Sequence, residues 1–223
     1  MAIPEVRGMI QVRGTAVSTA WISPSDAVGI LVVAHGAGVG MDHPFMAGFC
    51  RAAGEVGVAT LRFNFPYMER GRRAPDPEGV LREAWLAAFE DAARRSEGPV
   101  LAGGKSLGGR IASMCVADGM PAAGLVFLGY PLHPPGKPER IRDGHLYRIT
   151  VPMLFLEGTA DPFASPEVIA GVLAKLGPRA ELHVIEGGDH SFQVRGHRAD
   201  DREVGAGLAP VAAAFVRRVA GAA

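Results

Sequence analysis

Short apolar runs alternate with longer amphipathic segments along most of the chain. Segments in which apolar residues recur every three or four positions predict helices at residues 44–55, 78–96, 107–118, 166–176 and 208–219. A first pair of strands is predicted at residues 9–13 and 15–22. Short, nearly continuous apolar runs predict buried strands at residues 29–34, 58–63, 99–103, 124–128, 153–157 and 180–186.

Strands that alternate with helices are typical of a mostly parallel central sheet with helices on both faces. We therefore predict an α/β fold in which residues 1–223 form a single domain. The chain has 223 residues, of which 48% are hydrophobic, so it is long enough to bury a large core unaided.

Composition argues against several classes of partner and cofactor. The 23 basic and 23 acidic residues balance, so no attraction to nucleic acid or to an anionic membrane is expected. Cys50 and Cys115 fall in predicted helices and do not suggest a disulfide framework, which favours a reducing, cytoplasmic location. We expect no signal peptide, no membrane span, no metal and no cofactor, and the pattern leaves the oligomeric state open.

The most informative motif is Gly104-Lys105-Ser106-Leu107-Gly108, which reads G-x-S-x-G between a predicted strand and a predicted helix. Such a turn strains the backbone of its serine, and the close neighbouring strand and helix leave room only for glycine on either side. The strain exposes the hydroxyl, and the N–H groups of the following helix point at any anion formed there. Ser106 is therefore a candidate nucleophile.

Two other interpretations compete for this motif. A chain with 30 glycines produces some G-x-S-x-G matches by accident, as ordinary turns. Residues 104–106 also resemble the end of a phosphate-binding loop, G-x-x-x-x-G-K-[ST]. That loop requires glycine where this chain has Pro99 and a flexible backbone where it has a strand, so we disfavour nucleotide binding.

A serine nucleophile requires a base and a carboxylate that orients the base, in the chain order Ser, Asp or Glu, His in this type of fold. Asp161 and His190 each follow a predicted strand, where the catalytic groups of parallel sheets gather. We predict the catalytic triad Ser106, Asp161 and His190. Asp189 is the rival orienting acid, although chain neighbours rarely face each other.

The segment His35-Gly36-Ala37-Gly38 follows the predicted strand at residues 29–34 and supplies a candidate oxyanion hole. We predict that the backbone N–H groups of Ala37 and Leu107 stabilise the negative charge of a tetrahedral intermediate. His35 is better explained as a structural residue that holds this loop than as a catalytic base.

Two loops are predicted to shape the substrate pocket. Residues 130–149 are rich in proline and too short for a lid domain, so we expect an open site. Residues 64–77 follow the strand at 58–63. Candidate substrate-binding side chains on the catalytic edge are Phe65, Tyr67, Met68, Leu132 and Phe163.

Five stretches carry a family resemblance: AHGAG at 34–38, LRFNFPY at 61–67, GGKSLGGR at 103–110, GYPLHPPGKPE at 129–139 and LFLEGTADPF at 154–163. Together they resemble the α/β-hydrolase superfamily. The chain is similar to its dienelactone-hydrolase-like group, and most of all to the branch of the NSL-complex subunit 3-like proteins. The resemblance spans nearly the full length and implies the fold and the triad, but not a defined substrate. Dienelactone hydrolases proper have a cysteine nucleophile, so Ser106 favours ordinary ester or thioester hydrolysis.

The leading hypothesis is a serine esterase or thioesterase that acts on small acyl substrates. A binding or scaffold protein that keeps the fold without turnover is the main alternative from another class. Peptidase activity is a third possibility, because an open site admits peptides.

Overall fold

The strands assemble into one sheet whose spatial order differs from their order in the chain. We describe residues 3–222, taken from a computed structural model. The strands are β1 (Glu5–Val12), β2 (Thr15–Ile22), β3 (Ile30–Ala34), β4 (Ala59–Phe63), β5 (Val100–Lys105), β6 (Leu125–Leu128), β7 (Met153–Gly158) and β8 (Ala180–Ile185). Their order across the sheet is β1-β2-β4-β3-β5-β6-β7-β8, in which β2 is antiparallel to β1 and β4, and β3 to β8 are parallel. This confirms the predicted, mostly parallel sheet.

Six α-helices connect or follow the strands in the described part of the chain. The helices are α1 (Pro44–Glu55), α2 (Pro66–Glu69), α3 (Glu78–Arg94), α4 (Leu107–Ala117), α5 (Pro166–Leu176) and α6 (Asp201–Ala222). α1 and α5 have the predicted bounds, and each begins at a proline whose missing N–H costs nothing there. The short α2 was not predicted.

The two faces of the sheet carry separate cores, as the alternation of side chains in β3 shows. Ile30, Val32 and Ala34 belong to the core that contains the buried side chains of α3, α4 and α5, whereas Leu31 and Val33 belong to the core that contains those of α1 and α6. All five residues are at most 6% exposed, because β3 lies in the middle of the sheet. Helices therefore cover both faces, as predicted.

Both cysteines belong to these cores. Cys50 in α1 and Cys115 in α4 are buried and free. Burial raises the pKa of the Cys50 thiol to about 11 and that of Cys115 to about 12. The thiols therefore behave as small apolar side chains, in agreement with the sequence-based expectation that they are unlinked.

The last helix begins earlier than predicted, at Asp201 rather than at residue 208. Its first turns are polar and contain glycine, so they lack the apolar repeat on which the prediction relied. Gly205 lies against the backbone of α1, where a Cβ atom would come 2.1 Å from the carbonyl oxygen of Phe45. The helix thus starts where it can approach α1 closely.

By length and composition, α6 is also the one helix within residues 3–222 that is long and apolar enough to cross a membrane. No apolar run in the sequence had suggested such a segment. One side of α6 is buried against α1 and the sheet, as in a core helix. Its buried side chains are Leu208, Ala209, Ala212, Ala213, Phe215, Val216 and Val219.

The connection between β6 and β7 contains residues 130–149, which are predicted to be too short for a lid domain. Its only helical element among the described residues is the single 3₁₀ turn Leu146–Arg148. Prolines occupy much of the rest of this connection and prevent a regular helix. The loop therefore lies at the edge of the sheet without forming a lid domain, as predicted.

Candidate active site

Ser106 lies at a sharp turn between β5 and α4, with φ 50° and ψ −113°. This conformation is strained for a residue with a side chain and costs about 1–3 kcal/mol. The flanking glycines are required by the carbonyl oxygen of Ala34, because a Cβ atom on Gly104 or Gly108 would come 2.3 Å from it. The G-x-S-x-G motif therefore follows from the close approach of three backbone segments.

The structure brings Ser106, His190 and Asp161 together in one hydrogen-bonded chain. The Nε2 atom of His190 lies 2.8 Å from the Oγ atom of Ser106. The Nδ1 atom of His190 lies 2.6 Å from the Oδ2 atom of Asp161. Nδ1 therefore donates to the carboxylate, which leaves Nε2 free to accept the serine proton.

Asp161 is itself fixed in place. Its side chain is fully buried, and its Oδ1 atom accepts the backbone N–H of Phe163 at 2.8 Å. The ring of Phe163 meets the ring of His190 edge-on, with centroids 4.5 Å apart. Both the orientation and the water exposure of the imidazole are therefore controlled by residues 161–163.

Asp189, the rival acid, has a different role. Its Oδ1 atom accepts the backbone N–H groups of Ser191 and Gln193 at 2.8 and 3.0 Å. These bonds close a tight turn in which Phe192 has a φ of 63° and stacks on Phe45, with centroids 5.8 Å apart. Asp189 thus shapes the loop that carries His190.

Ala37 and Leu107, the predicted oxyanion donors, both line the cavity in front of Ser106. Leu107 is the first residue of α4, so its N–H has no partner within the helix. In residues 3–222, neither backbone N–H makes a hydrogen bond. Both groups are thus available to an oxyanion.

His35 holds the loop that contains Ala37. Its Nε2 atom accepts the backbone N–H of Phe65 at 3.1 Å, and its Nδ1 atom lies 2.8 Å from the carbonyl oxygen of Gly36. Burial lowers the pKa of His35 to about 4, so the ring is neutral at physiological pH. These contacts agree with the structural role expected for His35.

A cavity of about 530 Å³ opens in front of the three hydrogen-bonded residues, a size typical of sites for small molecules. One side is apolar and includes Val39, Phe45 and Met46 from the region around α1. The proline-rich loop after β6 supplies Pro131, His133, Pro134, Pro135 and Arg142.

The structure corrects the predicted substrate contacts, because only Phe163 of the five candidates lines this cavity. Phe65 and Tyr67 are fully buried beneath the His35 loop, and both rings pack edge-on against the imidazole of His35. Leu132 is also fully buried, and its backbone ties the loop after β6 to Phe163 through a 3.0 Å hydrogen bond. Met68 is half-buried and packs against the core.

A lysine and a glutamate lie beneath the site, and neither was singled out from the sequence for this role. Lys105 donates from Nζ to the carbonyl oxygen of His190 at 2.5 Å, and burial lowers its pKa to about 8. Glu157 accepts the N–H of Tyr130 through Oε1, and its Oε2 atom has no partner within the described part of the chain. Burial raises the pKa of Glu157 well above its usual value.

A second serine–histidine contact lies outside the cavity. The Oγ atom of Ser113 is 2.8 Å from the Nε2 atom of His145, and Tyr130 joins the pair through its hydroxyl. Ser113 is fully buried, and neither it nor His145 lines the cavity. These hydrogen bonds fix α4 to the loop after β6 and present no nucleophile to solvent.

A family model described as an alpha/beta hydrolase domain matches residues 27–218 of the chain. This range includes Ser106, Asp161 and His190 and the six strands β3 to β8. The matched part extends well beyond half of the chain.

Several solved structures have the same fold. An esterase domain of a Rhodothermus marinus protein has a TM-score of 0.74 at 18% identity, with 97% of this chain and 99% of that chain covered. A dienelactone hydrolase from Anabaena variabilis gives 0.74 at 20% identity, with 98% and 99% covered. A serine hydrolase without a lid from Xanthomonas campestris gives 0.75 at 17% identity, with 95% and 94% covered.

The raised pKa of Glu157 predicts how a Glu157→Gln variant responds to pH. Wild-type Glu157 stays protonated in the fold at pH values where the unfolded chain ionises, so the folded state binds more protons and loses stability as pH rises. Glutamine removes this loss. Between about pH 5 and about pH 7, the variant should gain stability relative to wild type, by up to about 1.4 kcal/mol per pH unit.

Urea unfolding at both pH values measures this difference. Glu90→Gln is the matched control, because Glu90 is exposed on α3, and its stability should follow that of wild type. A stability difference between Glu157→Gln and wild type that is constant with pH would show that Glu157 is ionised in the folded protein.

Proposed function

The chain belongs to the α/β-hydrolase family, and from this premise we propose that it is a serine hydrolase of small carboxylic esters or thioesters. The observation that carries the proposal is the hydrogen-bonded chain from Ser106 through His190 to Asp161 at the wall of a 530 Å³ cavity. That arrangement suits acyl transfer through a covalent intermediate.

In the proposed reaction, His190 accepts the Ser106 proton at Nε2 as the serine oxygen attacks the acyl carbon. The N–H groups of Ala37 and Leu107 donate to the oxyanion of the tetrahedral intermediate. His190 then returns the proton to the departing alcohol or thiol, and the acyl group remains on Ser106. Water, activated by the same imidazole, releases the acid and restores the serine hydroxyl.

Asp161 and Lys105 act on His190 in opposite directions in this scheme. The Asp161 carboxylate stabilises the imidazolium that forms during proton transfer. The positive charge of Lys105, whose Nζ donates to the carbonyl oxygen of His190, disfavours the imidazolium. Burial lowers the pKa of His190, and the hydrogen bond to Asp161 raises it in part. The net effect is a base that is neutral at physiological pH.

The narrower kinship with the NSL-complex subunit 3-like branch is also part of this proposal. Its support is the set of sequence stretches around Ala37, Ser106 and Asp161, in which Ser106 takes the place of the cysteine of dienelactone hydrolases. A serine nucleophile in this setting favours simple esters and thioesters over dienelactones.

We expect Ser106→Ala, Asp161→Asn and His190→Ala each to lower the turnover of a short aryl ester by about 10³-fold or more. The losses of turnover should not be additive when the substitutions are combined, because the three residues act as one unit. Kinetics with p-nitrophenyl acetate measures the effect, and labelling with a fluorophosphonate reports the nucleophile without requiring a known substrate.

Ser113→Ala is the matched control, since Ser113 also contacts a histidine but is buried outside the cavity. It should still be labelled. Equal labelling of wild type and Ser106→Ala would refute the assigned nucleophile and would leave a non-catalytic, binding role for the fold.

The lowered pKa of His190 predicts the pH profile of kcat/KM on a neutral ester. The neutral imidazole is the base, so the rate falls as pH drops through the pKa of His190, and this midpoint should lie below 6.5. His183→Gln is the control, because His183 is exposed on the edge strand β8, and its midpoint should match that of wild type. A midpoint above about 7 would contradict the effect of burial on His190.

We expect acetyl to butyryl esters to be hydrolysed faster than long-chain esters. The loop after β6 forms no apolar lid, so further methylenes of a long acyl chain stay largely in water. Each of them therefore gains only a small part of the roughly 0.8 kcal/mol that full burial provides. A series of p-nitrophenyl esters from acetyl to decanoyl tests this. An optimum at decanoyl or activation at a lipid interface would reveal a longer acyl tunnel.

A further inference from the structure

Two arginines line the cavity that contains Ser106. Arg110 lies on α4 four residues after the serine, and Arg142 lies on the loop after β6. The backbone N–H of Arg142 donates to the carbonyl oxygen of Leu132 at 2.7 Å, and Leu132 is fully buried. The loop therefore presents Arg142 to the cavity from a fixed position.

Neither of these guanidinium groups pairs with a carboxylate in residues 3–222. Arg110 donates no side-chain hydrogen bond there, and its Nε atom is buried without a partner. Many other arginines of the chain do have acidic partners. These are Arg7, Arg13, Arg62, Arg70, Arg72, Arg82, Arg94, Arg95, Arg148 and Arg218.

The polar groups around Arg110 do not neutralise it. Ser113, Tyr130 and His145 form hydrogen bonds with one another. Burial, together with the neighbouring arginines, lowers the pKa of His145 to about 4, so this ring adds no charge. Arg142 is exposed, but partial desolvation lowers its pKa as well, and the positive charges of Arg110 and Arg140 lower it further. The two cavity arginines therefore repel each other.

The remaining charged groups of the cavity already have partners. Lys105 donates to the carbonyl oxygen of His190. Asp201, the one acid among the cavity residues described, accepts from the amide of Gln193 at 3.0 Å and lies 3.7 Å from the Nε2 atom of His43. The charge that is left without a partner is positive, and it belongs to Arg110 and Arg142.

We propose that the substrate of this site is an ester or thioester that also carries a carboxylate, which Arg110 and Arg142 bind. The inference rests on the proposed serine hydrolase function and specifies its substrate class. Guanidinium groups match carboxylates in shape and charge and bind them through paired N–H···O bonds. Such a ligand would relieve the repulsion between the arginines and supply the partner that the buried Arg110 Nε lacks.

The size of the cavity limits the length of the substrate. Ser106, Arg110 and Arg142 line the same cavity of about 530 Å³, so the ester carbonyl and the carboxylate must both fit within it. A monoester of a short dicarboxylic acid meets this condition, and so does an ester of a hydroxybenzoate. The two differ in whether the charge lies on the acyl or the alcohol side.

Matched pairs of charged and neutral esters test the proposal on both sides. The acyl pair is p-nitrophenyl hydrogen adipate and p-nitrophenyl methyl adipate, and the alcohol pair is 3-butyryloxybenzoate and its methyl ester. For at least one pair, wild type should prefer the charged member by about tenfold or more in kcat/KM. The preference should weaken as salt is added, because ions screen the attraction.

Charge removal should abolish this preference. Arg110→Gln and Arg142→Gln should each bring the ratio of charged to neutral kcat/KM close to one. Arg140→Gln is the matched control, since Arg140 is exposed on the same loop and does not line the cavity, and its ratio should equal that of wild type. A wild-type ratio near one for both pairs, or a ratio unchanged in both cavity variants, would overturn the proposal.

A binding experiment separates this proposal from the proposed hydrolase activity. Two charged ligands are tested on Ser106→Ala, monomethyl adipate for the acyl side and 3-butyryloxybenzoate for the alcohol side. At least one of them should raise the melting temperature, its neutral methyl ester should not, and the additional Arg142→Gln substitution should remove the shift. If wild type hydrolyses none of the four esters but this shift is seen, the hydrolase function fails and the anion site stands. If all four esters are hydrolysed and neither charged ligand gives a shift, the carboxylate proposal fails alone.

Discussion

The site depends on one steric constraint, the crowding of β5 and the start of α4 against the carbonyl oxygen of Ala34 at the end of β3. Gly104 and Gly108 both pass so close to this oxygen that neither position has room for a Cβ atom. Ser106 between them is forced to a φ of 50°. The local cost of about 1–3 kcal/mol is sustained because the flanking strands are fully embedded in the sheet. The serine hydroxyl is consequently held at the sheet edge before any substrate arrives.

The geometry of the parallel sheet explains how the other two residues reach this hydroxyl. Asp161 follows β7 and His190 follows β8, so adjacent strands deliver the acid and the base side by side. Ser106 follows β5, three strands from β8, which is about 14 Å away at roughly 4.8 Å per strand. The loop after β8 must therefore fold back across the edge. A hydrogen bond of 2.9 Å from the N–H of Ala160 to the carbonyl of Gly188 and the Lys105 contact with His190 hold it there.

The sequence was informative where a local pattern determines the structure and uninformative where three-dimensional packing does. Strand and helix periodicities, together with residues placed just after strands, were enough to predict the sheet and the candidates Ser106, Asp161 and His190. Being next to a strand end does not reveal where a side chain points. Phe65 and Tyr67 therefore turned out to support the His35 loop from below rather than to contact substrate. Likewise, Lys105 was considered only within a phosphate-loop pattern, because its contact with His190 spans 85 residues of chain.

The charge of the cavity also could not be predicted from the sequence. The equal numbers of acidic and basic residues argue against an extended charged surface, but a net charge of zero says nothing about a cavity of about 530 Å³. Half of the 20 arginines form ion pairs with acids in the described part of the chain, nearly all of them at the surface, where ion pairs contribute little to stability. Arg110 and Arg142 combine two features: both line the cavity, and neither forms an ion pair within the described part of the chain. The residues that decide which ester enters are therefore distinguished by missing partners, which only the folded arrangement reveals.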